Sequence, residues 1–246
     1  MAFVEFSLRG VIGSIQGATG STAFPVGLAF GLAFVSYLLG SVPFGLLFGK
    51  MRGVDIRRVG SGNIGATNVG RALGRPWALA AFLCDFAKGW VPSALFAPAA
   101  LRIAGGGDHR LPALAVVAGG AAVAGHVWPI YLRFRGGKGV ATGCGALVGI
   151  DPVLFLVGGL VWLLTLALAR MVGLASLAMG LSFPLAAWWR MDASDSFLHG
   201  RVVVLGAGLL TLLVFVRHRA NMARMLAGTE PRIGAGKKRS ESEEDD

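Results

Sequence analysis

The chain has 246 residues, of which 54% are hydrophobic and only 15% are charged, and its formal net charge is +10. Soluble domains carry about 25% charged residues, so this composition excludes a soluble globular enzyme, a disordered chain and a disulfide-linked scaffold. It is typical of a membrane protein that crosses the bilayer several times, and its excess of positive charge points to anionic lipids and metabolites rather than nucleic acid.

Apolar stretches of the length needed to cross a bilayer, about 20 residues, recur along the chain. A further stretch, residues 139–150, is too short to cross alone, and the Asp-Pro pair after it predicts a helix end. The six longer stretches are residues 25–49, 76–101, 111–132, 152–169, 171–189 and 201–216.

The distribution of basic residues predicts the orientation of these helices. If the short helix is counted, segments 50–75, 133–138 and 217–246 together with Arg170 lie on one side and hold 17 of the 23 Lys and Arg residues. Cytoplasmic loops carry such an excess. We therefore expect an all-α polytopic membrane protein of about seven transmembrane helices, one of them short, with the N-terminus outside and the C-terminus cytoplasmic.

The extent of the apolar stretches and the polar, mixed-charge composition of the C-terminal residues predict three regions in the chain. They are an N-terminal extension over residues 1–24, an integral membrane domain over residues 25–230, and a disordered, charged cytoplasmic tail over residues 231–246.

The first inner loop is rich in glycine and small polar residues. Residues 60–68 read Gly-Ser-Gly-Asn-Ile-Gly-Ala-Thr-Asn and lie between Arg58 and Arg71. Glycines let the backbone approach an anion, and Ser, Thr and Asn add neutral donors. The planar Arg group matches phosphate oxygens. This pattern favours a phosphate site over a flexible polar loop whose basic residues face anionic lipid.

The next inner loop contains Gly136, Gly137, Lys138 and Gly139 at the start of the short predicted helix. Unpaired backbone N–H groups and the positive end of the helix dipole are expected there, beside the lysine ammonium. The spacing is not that of a Walker A loop. A lysine at the membrane surface is the alternative for Lys138, and a structural histidine is the alternative for the nearby His126.

The last inner segment places His218 and Asn221 three residues apart, so they share one face of a helix. A basic flank at the membrane surface is the alternative interpretation. Ser176 lies two turns into a predicted helix, where serine usually bonds back to a carbonyl. Asp85 and Lys88 are charged residues inside a predicted span, and their spacing favours a structural ion pair over a functional one.

Together these segments resemble the bacterial PlsY-type acyl-phosphate:glycerol-3-phosphate acyltransferases, over residues 26–230. The motifs come in the same order as in that family, although the family's Tyr and first Ser before Ser176 are missing here. The matching segments are residues 40–45, residues 60–68 with Arg71, residues 85–89, residues 125–129, residues 136–142, residues 217–221 and residues 228–230.

The resemblance implies transfer of an acyl chain from acyl phosphate to the 1-hydroxyl of glycerol 3-phosphate. The products would be lysophosphatidic acid and phosphate, in the first step of membrane phospholipid synthesis. It implies no metal and no other cofactor. The expected location is the bacterial cytoplasmic (inner) membrane, with the active site on the cytoplasmic face. The expected partners are the two substrates and membrane lipids, with no nucleic acid.

The resemblance also assigns candidate roles to individual residues. The proton acceptor stays open between His126, His218 and a substrate phosphate, and we favour the phosphate, with His218 in a positioning role. The candidate catalytic residues are Ser61, Arg71, Lys138, His218 and Asn221. The candidate substrate-binding residues are Gly62, Asn63, Thr67, Asn68, His126, Gly136, Gly137, Gly139 and Ser176.

Two other classes of function fit a basic, apolar chain. A membrane carrier for an anionic phosphorylated metabolite is expected to have inverted repeats that meet at the bilayer midplane. The two halves of this sequence show no such similarity. A lipid-binding scaffold without catalytic activity is the other alternative.

Overall fold

The computed structural model describes residues 25–105, 110–191 and 200–234, and in these ranges the regular structure is entirely helical. Residues 1–24 and 235–246, which include the predicted extension and most of the predicted tail, lie outside the described residues. The helices are α1 (Val26–Ser41), α2 (Phe44–Met51), α3 (Ala66–Leu73), α4 (Arg75–Val91), α5 (Ala97–Ile103), α6 (Leu111–Val127), α7 (Val140–Ile150), α8 (Pro152–Ala169), α9 (Val172–Arg190), α10 (Val202–Arg217) and α11 (Arg219–Leu226).

Several of these helices are long and apolar enough to cross a membrane. In the described residues there are 5 such spans, or up to 6 when α10 and α11 are counted as one bent span. Helix α7 has 11 residues, about 17 Å of helix, which is shorter than a hydrocarbon core of about 30 Å. A polytopic all-α architecture is therefore confirmed, while the count of seven and the orientation stay predictions.

Two of the predicted spans are interrupted, and the chain bends just after a third; hydropathy did not reveal these features. Val42 and Pro43 separate α1 from α2, because proline cannot continue the hydrogen-bond ladder. A π-helical turn, Pro92–Phe96, joins α4 to α5. The chain bends by 57° between α10 and α11, at His218.

Glycines allow the central helices to pack with their backbones in contact. A Cβ atom at Gly89 of α4 would lie 1.9 Å from the carbonyl oxygen of Thr142, and one at Gly145 of α7 would lie 1.9 Å from that of Phe86. Helices α1 and α6 cross in the same way through Gly40 and Gly125. This close packing accounts for part of the chain's 38 glycines.

The inner ends of the helices are tied together by the residues that follow them. Arg170 at the end of α8 pairs with Ile233 through two hydrogen bonds, one from each residue. Ile233 therefore contacts the end of α8, while the domain boundaries expected from the sequence stay predictions. At the opposite ends of α8 and α9, Asp151 pairs with Arg190.

Candidate functional site

A cavity of about 710 Å³ opens where the three inner loops meet. All five residues predicted to be catalytic line it, with six of the nine predicted to bind substrate; Gly62, Gly136 and Gly137 do not. The predicted residues in its wall are Ser61, Asn63, Thr67, Asn68, Arg71, His126, Lys138, Gly139, Ser176, His218 and Asn221.

The first inner loop is held in shape by Asn68, which is buried. Its Oδ1 accepts a hydrogen bond from the backbone N–H of Ser61 at 2.9 Å, and its Nδ2 donates to the carbonyl of Ile56 at 2.9 Å. Gly62 has a positive φ of 66°, a conformation that favours glycine. The structure therefore gives Asn68 and Gly62 a part in shaping the loop.

Asn63 has a similar local task, because its Oδ1 accepts from the N–H of Gly65 just before α3. The side chains of Ser61, Thr67 and Arg71 are exposed and make no hydrogen bond within the described ranges. Their hydroxyl and guanidinium groups are available to a ligand in the cavity. This loop thus presents two hydroxyls and one fixed positive charge.

The glycine loop before α7 differs from the anion-binding loop expected from the sequence. The backbone N–H of Gly136 donates to Val127 and that of Gly137 donates to His126, so neither is unpaired. Their carbonyls accept from the guanidinium of Arg217 at 3.0 and 3.1 Å. The loop therefore orients Lys138, and the expectation of unpaired N–H groups at these two glycines is wrong.

Lys138 begins a chain of hydrogen bonds that runs across the cavity wall. Its Nζ donates to Asn221 Oδ1 at 2.5 Å, and Asn221 Nδ2 donates to Glu230 Oε1 at 2.6 Å. Arg224 Nε donates to the other Glu230 oxygen at 2.8 Å. Burial lowers the pKa of Lys138 to about 8, against the raising effect of the Glu230 carboxylate.

Sequence reasoning assigned no site role to Arg224 or Glu230, yet both line the cavity. Glu230 ends the matching segment Gly-Thr-Glu at residues 228–230, so the sequence pointed to this position. Its hydrogen-bond partners depend on the bend after α10, which the sequence did not predict. Gly173 leaves room for this arrangement. A Cβ atom at that position would lie 2.8 Å from both Asn221 Nδ2 and Glu230 Oε1, so a side chain there would displace the hydrogen-bonded pair.

His218 lies at the bend, 3% exposed, between the membrane helix and α11. Its Nδ1 is 2.8 Å from the carbonyl oxygen of Val214. A carbonyl only accepts, so Nδ1 carries the proton and Nε2 is left as an acceptor. Burial, and next the charge of Lys138, lower the pKa of His218 to about 4, so the ring is neutral near pH 7.

His126 belongs to a buried polar cluster at one edge of the cavity. Lys88 Nζ lies 2.8 Å from Asp85 Oδ1, 3.0 Å from His126 Nδ1 and 2.9 Å from the carbonyl oxygen of Val42. The cluster thereby ties α4 and α6 to the break between α1 and α2. The predicted structural pair of Asp85 and Lys88 is present, and His126 extends it.

Ser176 is buried on α9, and its hydroxyl donates to the carbonyl of Val172 at 2.9 Å. This is the backward bond usual for serine in a helix. Its oxygen still has acceptor capacity on the cavity side. Gly139, which starts α7 with φ of 81°, also lines the cavity.

An apolar arm extends the cavity between α4 and α8. Leu79 and Phe82 of α4 form one wall, and Phe155, Gly159 and Trp162 of α8 form the facing wall. Leu79 is 59% exposed, so the arm is open sideways toward the surrounding bilayer. The cavity therefore joins a basic, hydrogen-bonding end to a lipid-like end.

A family profile described as "Glycerol-3-phosphate acyltransferase" matches residues 30–228 of the chain. A glycerol-3-phosphate acyltransferase of Rhodospirillum rubrum is 44% identical over 219 residues, which cover 89% of this chain and 97% of the relative. One of Dinoroseobacter shibae is 42% identical over 213 residues, covering 86% and 96%.

Two crystal structures of PlsY (YgiH), an integral membrane glycerol 3-phosphate acyltransferase, have similar folds. The glycerol 3-phosphate form has a TM-score of 0.73 and 38% identity, covering 84% of this chain and 96% of that one. The lysophosphatidic acid form has a TM-score of 0.72 and 37% identity, covering 84% and 95%.

Proposed function

This chain belongs to the glycerol-3-phosphate acyltransferase family, and we propose that its cavity joins an acyl phosphate to glycerol 3-phosphate. The products are lysophosphatidic acid and inorganic phosphate, in the first step of membrane phospholipid synthesis. The observation that carries this proposal is the continuity of a basic, hydrogen-bonding cavity with an apolar arm. One phosphorylated, water-soluble substrate and one phosphorylated, lipid-like substrate have matching environments there.

The phosphate groups bind among the cationic side chains of the cavity. Arg71 supplies a guanidinium that makes no hydrogen bond within the described ranges and can meet two phosphate oxygens at once. Lys138 supplies an ammonium that Asn221 orients. Arg224 is held by Glu230 and adds a third positive charge at the same wall.

The reaction needs little more than positioning, because an acyl phosphate already contains a good leaving group. The 1-hydroxyl oxygen of glycerol 3-phosphate attacks the acyl carbonyl carbon, and a new C–O ester bond forms. The bond from that carbon to the phosphate oxygen breaks, and the electron pair leaves with the phosphate. The cationic side chains stabilise the negative charge that develops on this group.

A phosphate oxygen of the substrate accepts the hydroxyl proton, with His218 in a positioning role. The neutral ring offers Nε2 as an acceptor, while Nδ1 is fixed by the carbonyl of Val214. His218 therefore orients a substrate hydroxyl. Ser61 and Thr67 add hydroxyl groups that bind substrate oxygens from the first loop.

The acyl chain lies in the apolar arm between α4 and α8 and enters from the side. The enzyme works in the bacterial cytoplasmic (inner) membrane, with its cavity on the cytoplasmic face. The excess of Lys and Arg in the segments that build the cavity supports this orientation.

Phosphate release tests the proposed function directly. Purified protein in detergent is supplied with palmitoyl phosphate and glycerol 3-phosphate, and phosphate and lysophosphatidic acid are both measured. We expect equal amounts of the two products, which form only when both substrates are present. Absence of turnover in lipid conditions that keep the protein folded contradicts the proposal. Uptake of glycerol 3-phosphate into liposomes without product points instead to a carrier.

A further inference from the structure

One position in the wall of the apolar arm has no side chain. Gly159 lies on α8 between Phe155 and Trp162, and all three line the cavity. A Cβ atom at Gly159 would meet no other atom within 4 Å, whereas one at Gly158 would lie 2.2 Å from the ring of Phe183. Helix packing therefore requires the glycine at 158 and leaves the neighbouring position open.

The arm is closed beyond Gly159 by an aromatic contact. The ring of Phe155 packs edge-on against Phe86 of α4, with centroids 5.9 Å apart at an interplanar angle of 71°. Phe155 lies four residues from Gly159, which is about 6 Å along the helix. A linear chain that runs down the arm thus passes Gly159 before it reaches this closed end.

We propose that Gly159 determines the length of acyl chain that the enzyme accepts. The inference rests on the proposed function and adds to it the residue that sets the donor's specificity. Because Gly159 has no side chain, the last methylenes of a long acyl chain can pass it and occupy the part of the arm between Gly159 and Phe155. Each methylene buried there favours binding about fourfold, so a side chain that fills this space selects against long donors.

Variants with graded side chains at this position test the proposal. Wild type, Gly159→Leu and Gly159→Phe are compared on lauroyl, myristoyl, palmitoyl and stearoyl phosphates at saturating glycerol 3-phosphate. We expect the ratio of kcat/KM for stearoyl phosphate to that for lauroyl phosphate to fall by about fifteenfold in Gly159→Phe, as for about two lost methylenes. The fall should be smaller in Gly159→Leu.

Gly208 of α10 provides the matched control. A Cβ atom at Gly208 also meets nothing within 4 Å, and this residue does not line the cavity. Gly208→Phe adds the same side chain to a membrane helix and should keep the wild-type chain-length profile.

Two outcomes overturn the proposal while wild type is active. In one, the Gly159 variants keep the wild-type profile, as expected if the chain leaves the arm sideways into the bilayer. In the other, they lose all donors equally. Wild type that turns over none of the four donors overturns the proposed function instead, and the inference with it.

Discussion

The surroundings of Lys138 determine how readily this single residue keeps its positive charge. Its ammonium is partly buried, donates to Asn221 and lies near Arg71 and Arg224. Burial and the neighbouring positive charges both favour loss of its proton, so its pKa falls to about 8 from an ordinary value of about 10.4. Lys138 is therefore charged near pH 7, but its pKa lies only about one unit above that pH.

A pH profile of the reaction rate measures the pH at which Lys138 loses its charge. As pH rises through about 8, Lys138 loses the positive charge that binds phosphate, and kcat/KM for glycerol 3-phosphate should fall toward a limit of about tenfold per pH unit. An unperturbed lysine would keep its charge for about two further units. Steady-state rates of the wild-type enzyme between pH 6 and 10 provide the measurement.

Lys138→Arg is the matched control, since arginine stays protonated throughout this range. The variant is expected to have lower activity but no fall near pH 8. If the fall near pH 8 persists in Lys138→Arg, another group is responsible for it.

Single residues also show where prediction from sequence reached its limit. The motifs identified Ser61, Arg71, Lys138, His218 and Asn221, and the structure brings all five to one cavity. Their roles stay predictions. The sequence did not show which polar groups are already hydrogen-bonded within the protein, because these bonds depend on contacts between distant segments. The N–H groups of the glycine loop, paired with carbonyls at the end of α6, are an example.

At the scale of elements, the site depends on how closely α4 and α7 approach. Helix α4 carries Lys88 of the buried cluster, and α7 begins at Val140, two residues after Lys138. Gly89 and Gly145 are the points where each backbone lies against the other helix. Any side chain at these points separates the two helices and shifts one edge of the cavity relative to the other.

We therefore expect Gly145→Val to destabilise the protein by about 1–3 kcal/mol, as overpacked cores do. The thermal unfolding midpoint in detergent should fall, and turnover should fall with it. Gly31→Val is the control, because a Cβ at Gly31 of α1 meets nothing within 4 Å. An unchanged midpoint for Gly145→Val would mean that the helices move apart at no cost, which contradicts the packing argument.

The apolar stretches in the sequence predicted the positions of most long helices within a few residues, because a helix that crosses a bilayer must be apolar along its length. The interruptions were not predicted. The break at Val42 and the π-helical turn at Pro92–Phe96 lie inside apolar stretches, so hydropathy does not reveal them, and the bend at His218 follows the stretch at residues 201–216 in a basic segment. The bend matters most for function, because it directs α11 back across the cavity and brings Asn221 to Lys138.

At the scale of the whole molecule, the three basic inner segments meet at one end of the helix bundle. If α7 crosses the membrane, the two termini lie on opposite sides, and 17 of the 23 Lys and Arg residues lie on one side, which the positive-inside rule predicts to be the cytoplasm. If α7 does not cross, the number of crossings is even and the two termini lie on the same side. The location of the termini therefore distinguishes the two arrangements.

Labelling of single cysteines tests this prediction. Cys84 and Cys144 are replaced by alanine, and a new cysteine is placed at Ser21 or at Ser240. In intact cells, a membrane-impermeant maleimide (with the outer membrane made permeable where there is one) should label Ser21→Cys and should label Ser240→Cys only after lysis. Labelling of both positions in intact cells would rule out the seven-helix topology.

The sideways opening of the apolar arm determines which concentrations the enzyme responds to. A donor that enters from the leaflet is measured as a mole fraction of the lipid, whereas glycerol 3-phosphate is measured as a concentration in the adjoining water. Catalysis then takes place at a phase boundary, and neither the donor's chain nor that of the product has to pass through water. A product that leaves through the same opening enters the monolayer that supplied the donor, so the enzyme draws its donor from the lipid layer that its product enlarges.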